Sequence, residues 1–197
     1  MAFRASLRPV ARALPGAVRS LHSTPRALVK AGDGLPDFGG LYENSPGNQI
    51  NLAKEFQSSD GYIIGVPGAF TGTCSSKHVP SYMNHPNLDK AGQVFVVSVN
   101  DPFVLGASNW TLPARRVQVQ PLLPCLAIVD GVQIRFLADP TAEFTKALDL
   151  GFDAPIFGHT RSQRYALKVE NGKITKTHIE PDATGADVSM ADKVLGS

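Results

Sequence analysis

The residue best suited to chemistry in this sequence is Cys74, which stands between a predicted strand and a predicted helix. The apolar run at residues 62–66 predicts a buried strand, and Pro67 ends that run. A helix is expected over about residues 73–85, so Cys74 lies in its first turn. Unpaired amide groups and the helix dipole favour an anion there, and a thiol so placed becomes a nucleophilic thiolate.

The residues before Cys74 suit the same chemistry. Thr71 can offer its hydroxyl to a thiolate or to a bound oxygen atom, and Pro67 would shield the sulfur from bulk water. The alternative is a buried structural cysteine, the usual role of a lone cysteine. A core cysteine needs neither a proline nor a threonine at this spacing, so the pattern favours a reactive thiol.

His78 follows Cys74 by four residues and falls on the same face of the predicted helix. A cysteine–histidine pair is also the nucleophile of cysteine proteases, but there the histidine comes from a distant part of the chain. We therefore expect His78 to pack or to form hydrogen bonds locally. The remaining histidines show no metal-ligand spacing with carboxylates or cysteines, so no metal site is predicted.

Residues 67–75, Pro-Gly-Ala-Phe-Thr-Gly-Thr-Cys-Ser, resemble the active-site motif of the peroxiredoxin family, in the form of its peroxiredoxin 5-like (type II, atypical) subfamily. Similar blocks follow in the same order at residues 78–82, 99–103, 136–141 and 164–167. The resemblance implies a thioredoxin-like fold. It also implies a thiol-dependent peroxidase that reduces hydrogen peroxide and alkyl hydroperoxides, contributes to antioxidant defence and cell redox homeostasis, and needs no cofactor.

The resemblance also implies roles for individual residues. Cys74 would be the peroxidatic cysteine, which attacks the O–O bond of the peroxide and becomes a sulfenic acid. Thr71 would orient the peroxide beside Pro67, and Arg164 would favour the thiolate and polarise the peroxide oxygens. Arg161 competes with Arg164 for this role, but the Arg-aromatic-Ala-Leu block favours Arg164.

Two departures from the family pattern bear on the mechanism. The family usually has a proline where this chain has Gly72, and some members have a resolving cysteine at the position of Val188. Cys125 is the other candidate for a resolving cysteine, but its surroundings do not resemble the family. The expected mechanism therefore uses one cysteine, with a sulfenic acid that thioredoxin or glutaredoxin and glutathione reduce.

The predicted elements alternate between strands and helices and then end in a hairpin and a final helix. This order favours an α/β fold with a central mixed β-sheet flanked by helices. Asn171-Gly172 between two alternating runs is a strong hairpin signal. The predicted strands are residues 62–66, 93–99, 134–137, 164–169 and 174–179, and the predicted helices are residues 51–56, 73–85, 141–149 and 187–195.

The charge of the chain is unevenly placed. The formal net charge is +2, but residues 1–32 hold basic residues and no acidic ones, so the remainder is net negative and nucleic-acid binding is not expected. Residues 1–29 have the composition of a mitochondrial transit peptide, which predicts a mitochondrial, matrix protein with a peroxiredoxin domain at 30–197. Cytoplasmic and peroxisomal forms stay open, and no membrane span is predicted.

Residues 106–131 match the family poorly, because prolines interrupt the helix expected around Trp110. We interpret this stretch as an insertion or as a wrongly spliced segment.

The rival function is a non-catalytic redox sensor or chaperone-like module with a thioredoxin fold. The presence of the motif residues favours the enzyme. Members of the family often dimerise through the face around their active-site loops, so we expect a homodimer.

Overall fold

The computed structural model describes residues 28–107, 117–119, 126–129 and 132–196. The strands are β1 (Leu41–Tyr42), β2 (Gln49–Ile50), β3 (Asp60–Val66), β4 (Gln93–Ser98), β5 (Val117–Val119), β6 (Leu126–Val129), β7 (Val132–Ala138), β8 (Gly151–Ala154), β9 (His159–Ser162), β10 (Tyr165–Glu170) and β11 (Lys173–Ile179). The helices are α1 (Leu52–Glu55), the π-helix Cys74–His78, α2 (Val79–Met83), the 3₁₀ turn Leu88–Lys90, α3 (Pro102–Ala107), α4 (Glu143–Ala147), the 3₁₀ turn Pro155–Phe157 and α5 (Ala191–Val194).

A single mixed sheet organises the described residues. Its order is β11-β10-β3-β4-β7-β1-β2, with β6 paired to β7 and β5 paired to β6. The central pairs β3–β4 and β4–β7 are parallel, whereas β10 runs antiparallel to both β3 and β11. Helical segments connect the parallel strands, as a crossover requires. The thioredoxin-like α/β fold predicted from the sequence is therefore confirmed.

Helices cover both faces of the sheet because successive residues of the central strands point to opposite sides. Ile64 and Val96 belong to the core cluster that contains buried residues of α2, α3 and α5. Ile63 and Phe95 belong to the second cluster, which contains buried residues of α1 and α4. The middle residues of β3 and β4 are therefore apolar on both faces of the sheet, which explains why the sequence showed continuous apolar runs and not alternation.

The hairpin predicted at Asn171-Gly172 is present between β10 and β11. Both turn residues have positive φ, at 49° and 74°, as a type I′ hairpin turn requires. Glu170 pairs with Lys173 across the turn, and the register shifts at a β-bulge between Lys168 and Val169. On its other edge β10 pairs with β3 from Asp60 to Gly65, so the start of β10 next to Arg164 lies beside the end of β3.

Several elements differ from the sequence-based expectation. Neither the short β1–β2 pair nor the β8–β9 pair was predicted, and the final helix is limited to Ala191–Val194. Within residues 106–131, β5 and β6 form an antiparallel pair that extends from β7. Trp110 and Cys125 lie outside the described residues.

The strand that leads to Cys74 depends on a glycine at a close approach. A Cβ placed on Gly65 would overlap the buried ring of Tyr165 on the neighbouring strand, whereas a Cβ on exposed Gly39 would meet no heavy atom within 4 Å. Overfilling a packed core typically costs about 1–3 kcal/mol. We expect Gly65→Ala to lower the free energy of unfolding by at least this amount in urea titrations.

Gly39→Ala is the matched control for the same substitution and should leave the free energy of unfolding within about 0.5 kcal/mol of wild type. Equal stability of the two variants would contradict the packing of Gly65 against Tyr165.

Candidate active site

Cys74 is buried at the start of the π-helix that follows β3. Its side chain is 1% exposed, and it belongs to the core cluster beneath the helices. The segment between the strand and the helix turns sharply, with Phe70 at a positive φ of 57°. The Ser75 amide donates to the Thr71 carbonyl at 3.0 Å, which ties the start of the helix to this segment. A wider π turn in place of an α turn is common at functional sites.

A pocket of about 370 Å³ opens above the cysteine. Its walls come from three parts of the chain: the segment after β3, the β8–β9 region, and the segments around Arg164 and Thr184. The lining residues are Pro67, Thr71, Gly72, Thr73, Cys74, Phe152, Phe157, Arg161, Arg164 and Thr184. All four residues singled out in the sequence, the cysteine, the threonine, the proline and Arg164, therefore lie around one pocket.

Arg164 is a buried cation whose guanidinium is held by main-chain oxygens. The side chain is 2% exposed, and its Nε donates to the carbonyl of Gly185 at 2.6 Å. The Thr184 carbonyl accepts from Nε at 3.3 Å and from Nη2 at 3.2 Å. Nη1 has no hydrogen-bond partner among the described residues. The charge is thus fixed in place, and Nη1 keeps hydrogen-bonding capacity that the described residues do not use.

The Thr71 hydroxyl was expected to bond to the thiolate or to a bound oxygen atom, but in the structure it bonds to the main chain. Its Oγ1 donates to the carbonyl of Gly68 at 3.0 Å, within the same turn. A hydroxyl has one proton to donate and two lone pairs that accept. In this arrangement Thr71 therefore presents an acceptor to the pocket. The Pro67 carbonyl is also engaged, because it accepts from Nη1 of Arg161 at 3.3 Å.

Arg161 is the functional candidate that the sequence reasoning set aside. Its guanidinium lies 4.8 Å from the ring centre of Phe157, and a Cβ on Gly68 would come within 2.6 Å of its Nη1. Burial lowers the pKa of Arg161, and its attraction to the charge of Cys74 opposes that shift. Both arginines therefore line the pocket.

The signal for Arg161 is weak because its position depends on the short β8–β9 pair. Arg161 stands opposite Phe152 in this pair, and both residues line the pocket. The strands are only four residues each, and the sequence between them has no hairpin turn of the Asn-Gly kind. The three-residue step from Arg161 to Arg164 is the one sequence feature that links them.

His78 packs within its helical segment, as expected, but bonds to a distant part of the chain. Its ring meets that of Tyr82 edge-on at 5.6 Å, and its Nε2 donates to the Ser189 carbonyl at 3.0 Å. Burial lowers the pKa of His78 to about 4, so the ring is neutral at physiological pH. The ring thus holds the helix against the C-terminal segment.

The described residues contain no group of three or more histidine, cysteine, aspartate or glutamate side chains that could hold a metal ion. Among the same residues, no helix has the length and apolar character required to cross a membrane.

Comparison with known proteins places this site in a family. The Redoxin family model matches residues 30–195. Peroxisomal membrane associated protein 20 of Schizosaccharomyces pombe is 42% identical over 178 residues, which cover 86% of this chain and 99% of that protein. The mitochondrial Peroxiredoxin-2F of Arabidopsis thaliana is 34% identical over 150 residues, 74% of this chain and 66% of that protein. Reduced Prx3 of Vibrio vulnificus, crystallised with hydrogen peroxide, matches with a TM-score of 0.69 at 33% identity, covering 85% of this chain and 98% of that one.

A thioredoxin-like sheet with a buried cysteine in the first helical turn after its central strand defines a class of thiol redox enzymes. On the match over residues 30–195 and the extent of the relatives' identity, the chain belongs to the peroxiredoxin family. It is a thiol-dependent peroxidase, an oxidoreductase that reduces peroxides with electrons from thiols.

The pKa of His78 makes a prediction about stability. Because burial depresses the pKa from 6.5 to about 4, the unfolded chain binds the proton more readily than the native protein. Stability is therefore complete above pH 6.5 and falls as the pH drops toward 4. Between pH 6.5 and 4.5, protonation of His78 lowers the free energy of unfolding by about 2 kcal/mol. Urea unfolding at these two pH values measures it.

His78→Gln keeps an amide donor for the Ser189 carbonyl and cannot titrate. Wild type should lose about 2 kcal/mol more than this variant over the same pH interval. The comparison cancels other groups, including the buried Asp139, whose pKa is raised by burial. Equal acid sensitivity in the two proteins would show that His78 is protonated normally.

Proposed function

We propose that Cys74 is the peroxidatic cysteine of this peroxidase. Its thiolate attacks the terminal oxygen of the peroxide, an S–O bond forms as the O–O bond breaks, and the second oxygen leaves as water or alcohol after taking up a proton. Cys74 is left as a sulfenic acid. One observation carries the proposal: the buried sulfur shares a single pocket with Thr71 and Arg164.

The other motif residues act on the peroxide and on the leaving oxygen. With its proton committed to the Gly68 carbonyl, Thr71 accepts a hydrogen bond from the peroxide O–H and so sets its direction. The free Nη1 of Arg164 donates to the peroxide oxygen on which negative charge develops. Arg161 adds a second positive charge at the pocket wall, and Pro67 excludes water from the sulfur.

Replacing Cys74 with serine tests this assignment. We expect Cys74→Ser to abolish peroxide reduction, because the serine hydroxyl stays protonated and forms no sulfenic acid. The measurement is peroxide consumption by the pre-reduced protein in a single turnover. Rapid consumption by Cys74→Ser would show that another residue does the chemistry.

The matched variant is Cys125→Ser, whose position lies outside the described residues. Under the one-cysteine mechanism, reductant thiol attacks the sulfenic acid of Cys74, releases water and leaves a mixed disulfide that a second thiol reduces. Cys125→Ser should then keep nearly full turnover with thioredoxin and with glutaredoxin and glutathione, assayed in parallel. Loss of turnover with retention of the single oxidation would instead make Cys125 the resolving residue.

We also propose that the protein belongs to the peroxiredoxin 5-like subfamily and forms a homodimer. The Pro-Gly-Ala-Phe-Thr form of the motif supports the peroxiredoxin 5-like subfamily, and peroxiredoxin 5 of Alvinella pompejana matches with a TM-score of 0.60 at 30% identity. Large apolar side chains at the surface support a homodimer. Four of them are more than half exposed: Phe70, Phe103, Ile156 and Phe157, of which Phe157 lines the pocket.

We also propose that residues 1–29 direct the protein to the mitochondrion, as their acid-free, arginine-containing composition indicates. Among the relatives, one is named mitochondrial and another peroxisomal. A fluorescent protein carrying residues 1–29 should therefore accumulate in mitochondria. The full chain with residues 2–29 deleted is the control and should lose that location. Peroxisomal fluorescence of the full chain would overturn the assignment.

A further inference from the structure

The two sides of the pocket are joined by the segment from Glu180 to Ala191, here named the C-terminal bridge. It lies after β11 and reaches from the start of β10 to the helix of Cys74. Its hydrogen bonds reach both sides of the pocket.

One end of the bridge holds Arg164 by its main chain and by its side chain. The Arg164 amide donates to the Ala183 carbonyl at 2.7 Å, and the Glu180 amide donates to the Arg164 carbonyl at 3.0 Å. The guanidinium donates to the carbonyls of Thr184 and Gly185. The position of the cation therefore follows the position of the bridge.

The other end of the bridge holds the helix that carries Cys74. The Ser189 carbonyl accepts from Nε2 of His78 at 3.0 Å and from the hydroxyl of Tyr82. The Ala191 amide donates to the hydroxyl of Ser81 at 3.3 Å. His78 lies one helical turn beyond the cysteine, so this end of the bridge fixes the thiol side of the pocket.

Glu180 ties the two ends together. Its side chain is 2% exposed, and its Oε1 accepts three hydrogen bonds: from the amide of Asp187 at 2.7 Å, from the amide of Ser189 at 2.9 Å and from the hydroxyl of Ser189 at 2.7 Å. Burial by itself raises the pKa of Glu180, but these hydrogen bonds outweigh it and leave the pKa below its usual value. The carboxylate is thus ionised and committed to the bridge.

We propose that Glu180 is a positioning residue for the peroxidase reaction, which closes the C-terminal bridge so that the Arg164 guanidinium stays directed at the pocket of Cys74. The inference rests on the proposed roles of these two residues. Without the three bonds, the carbonyls of Thr184 and Gly185 are no longer tied to Ser189. The guanidinium can then follow them away from the sulfur.

The test compares Glu180→Ala with Glu180→Gln in single-turnover oxidation of the pre-reduced full chain by hydrogen peroxide. Alanine removes the acceptor, and we expect the second-order rate constant to fall about 10- to 100-fold. The pH midpoint of the thiolate absorbance should move upward, because the thiolate loses its cation. Glutamine keeps the acceptor oxygen without the charge and should stay within about threefold of wild type.

The comparison of Glu180→Ala with Glu180→Gln separates the effect of the lost hydrogen bonds from the effect of the lost negative charge. Both variants lose the same negative charge, so an effect of charge alone would move the two midpoints together. Glu143→Ala, which removes an exposed carboxylate from α4, is the control for the substitution itself and should react as wild type does.

Several results would overturn the proposal. One is a Glu180→Ala protein that melts at a lower temperature but keeps the wild-type rate and pH midpoint, since that is a structural role alone. Another is a loss in Glu180→Gln equal to that in Glu180→Ala. A slow reaction of wild type itself would instead refute the proposed function. If Glu180→Ala does not fold, Ser189→Ala removes one of the three bonds, and an unchanged rate and midpoint there would refute the positioning role.

Discussion

The buried guanidinium of Arg164 is the constraint around which the candidate site is arranged. A cation removed from water loses its hydration, and an unpaired buried charge is among the most destabilising features a protein can contain. Here carbonyl oxygens of Thr184 and Gly185 replace most of that hydration, while Nη1 has no hydrogen-bond partner among the described residues. These main-chain carbonyls compensate for the lost hydration but carry no net charge. They therefore leave the cation unneutralised, whereas a nearby carboxylate would neutralise it. The positive charge thus stays available to an anion in the pocket.

The sheet explains how residues ninety positions apart meet. Because β10 runs antiparallel to β3, the start of β10 lies beside the end of β3, and Tyr165 pairs with Gly65. Arg164, one residue earlier, therefore stands next to the segment that leads to Cys74. The parallel pairing of β3 with β4 and of β4 with β7 keeps the end of β3 in the interior of the sheet, where the cysteine is shielded.

The C-terminal bridge links Arg164 and the helix of Cys74 to the end of the chain. Neither the bridge nor the β8–β9 pair is a long regular element, yet together they supply the carbonyls around Arg164 and the second arginine. Short segments of this kind keep their shape through specific hydrogen bonds and not through local propensity. In the bridge these bonds come from a buried carboxylate, Glu180, and a neutral buried histidine, His78, which both bond to Ser189.

The sequence by itself located the cysteine of the pocket, the main strands and the terminal hairpin. Each of these depends on local physics: a helix start that favours an anion, apolar runs long enough to be buried strands, and an Asn-Gly turn with positive φ at both residues. It also placed Arg164 correctly in the pocket, though through family resemblance and not through any local pattern. Only the tertiary structure decided that Arg161 lies in the same pocket and that Glu180 and His78 are buried and bonded to Ser189 of the C-terminal bridge. These positions depend on a pair of four-residue strands and on hydrogen bonds from side chains to main-chain groups, one of which spans 111 residues, and such contacts leave no periodicity in the sequence.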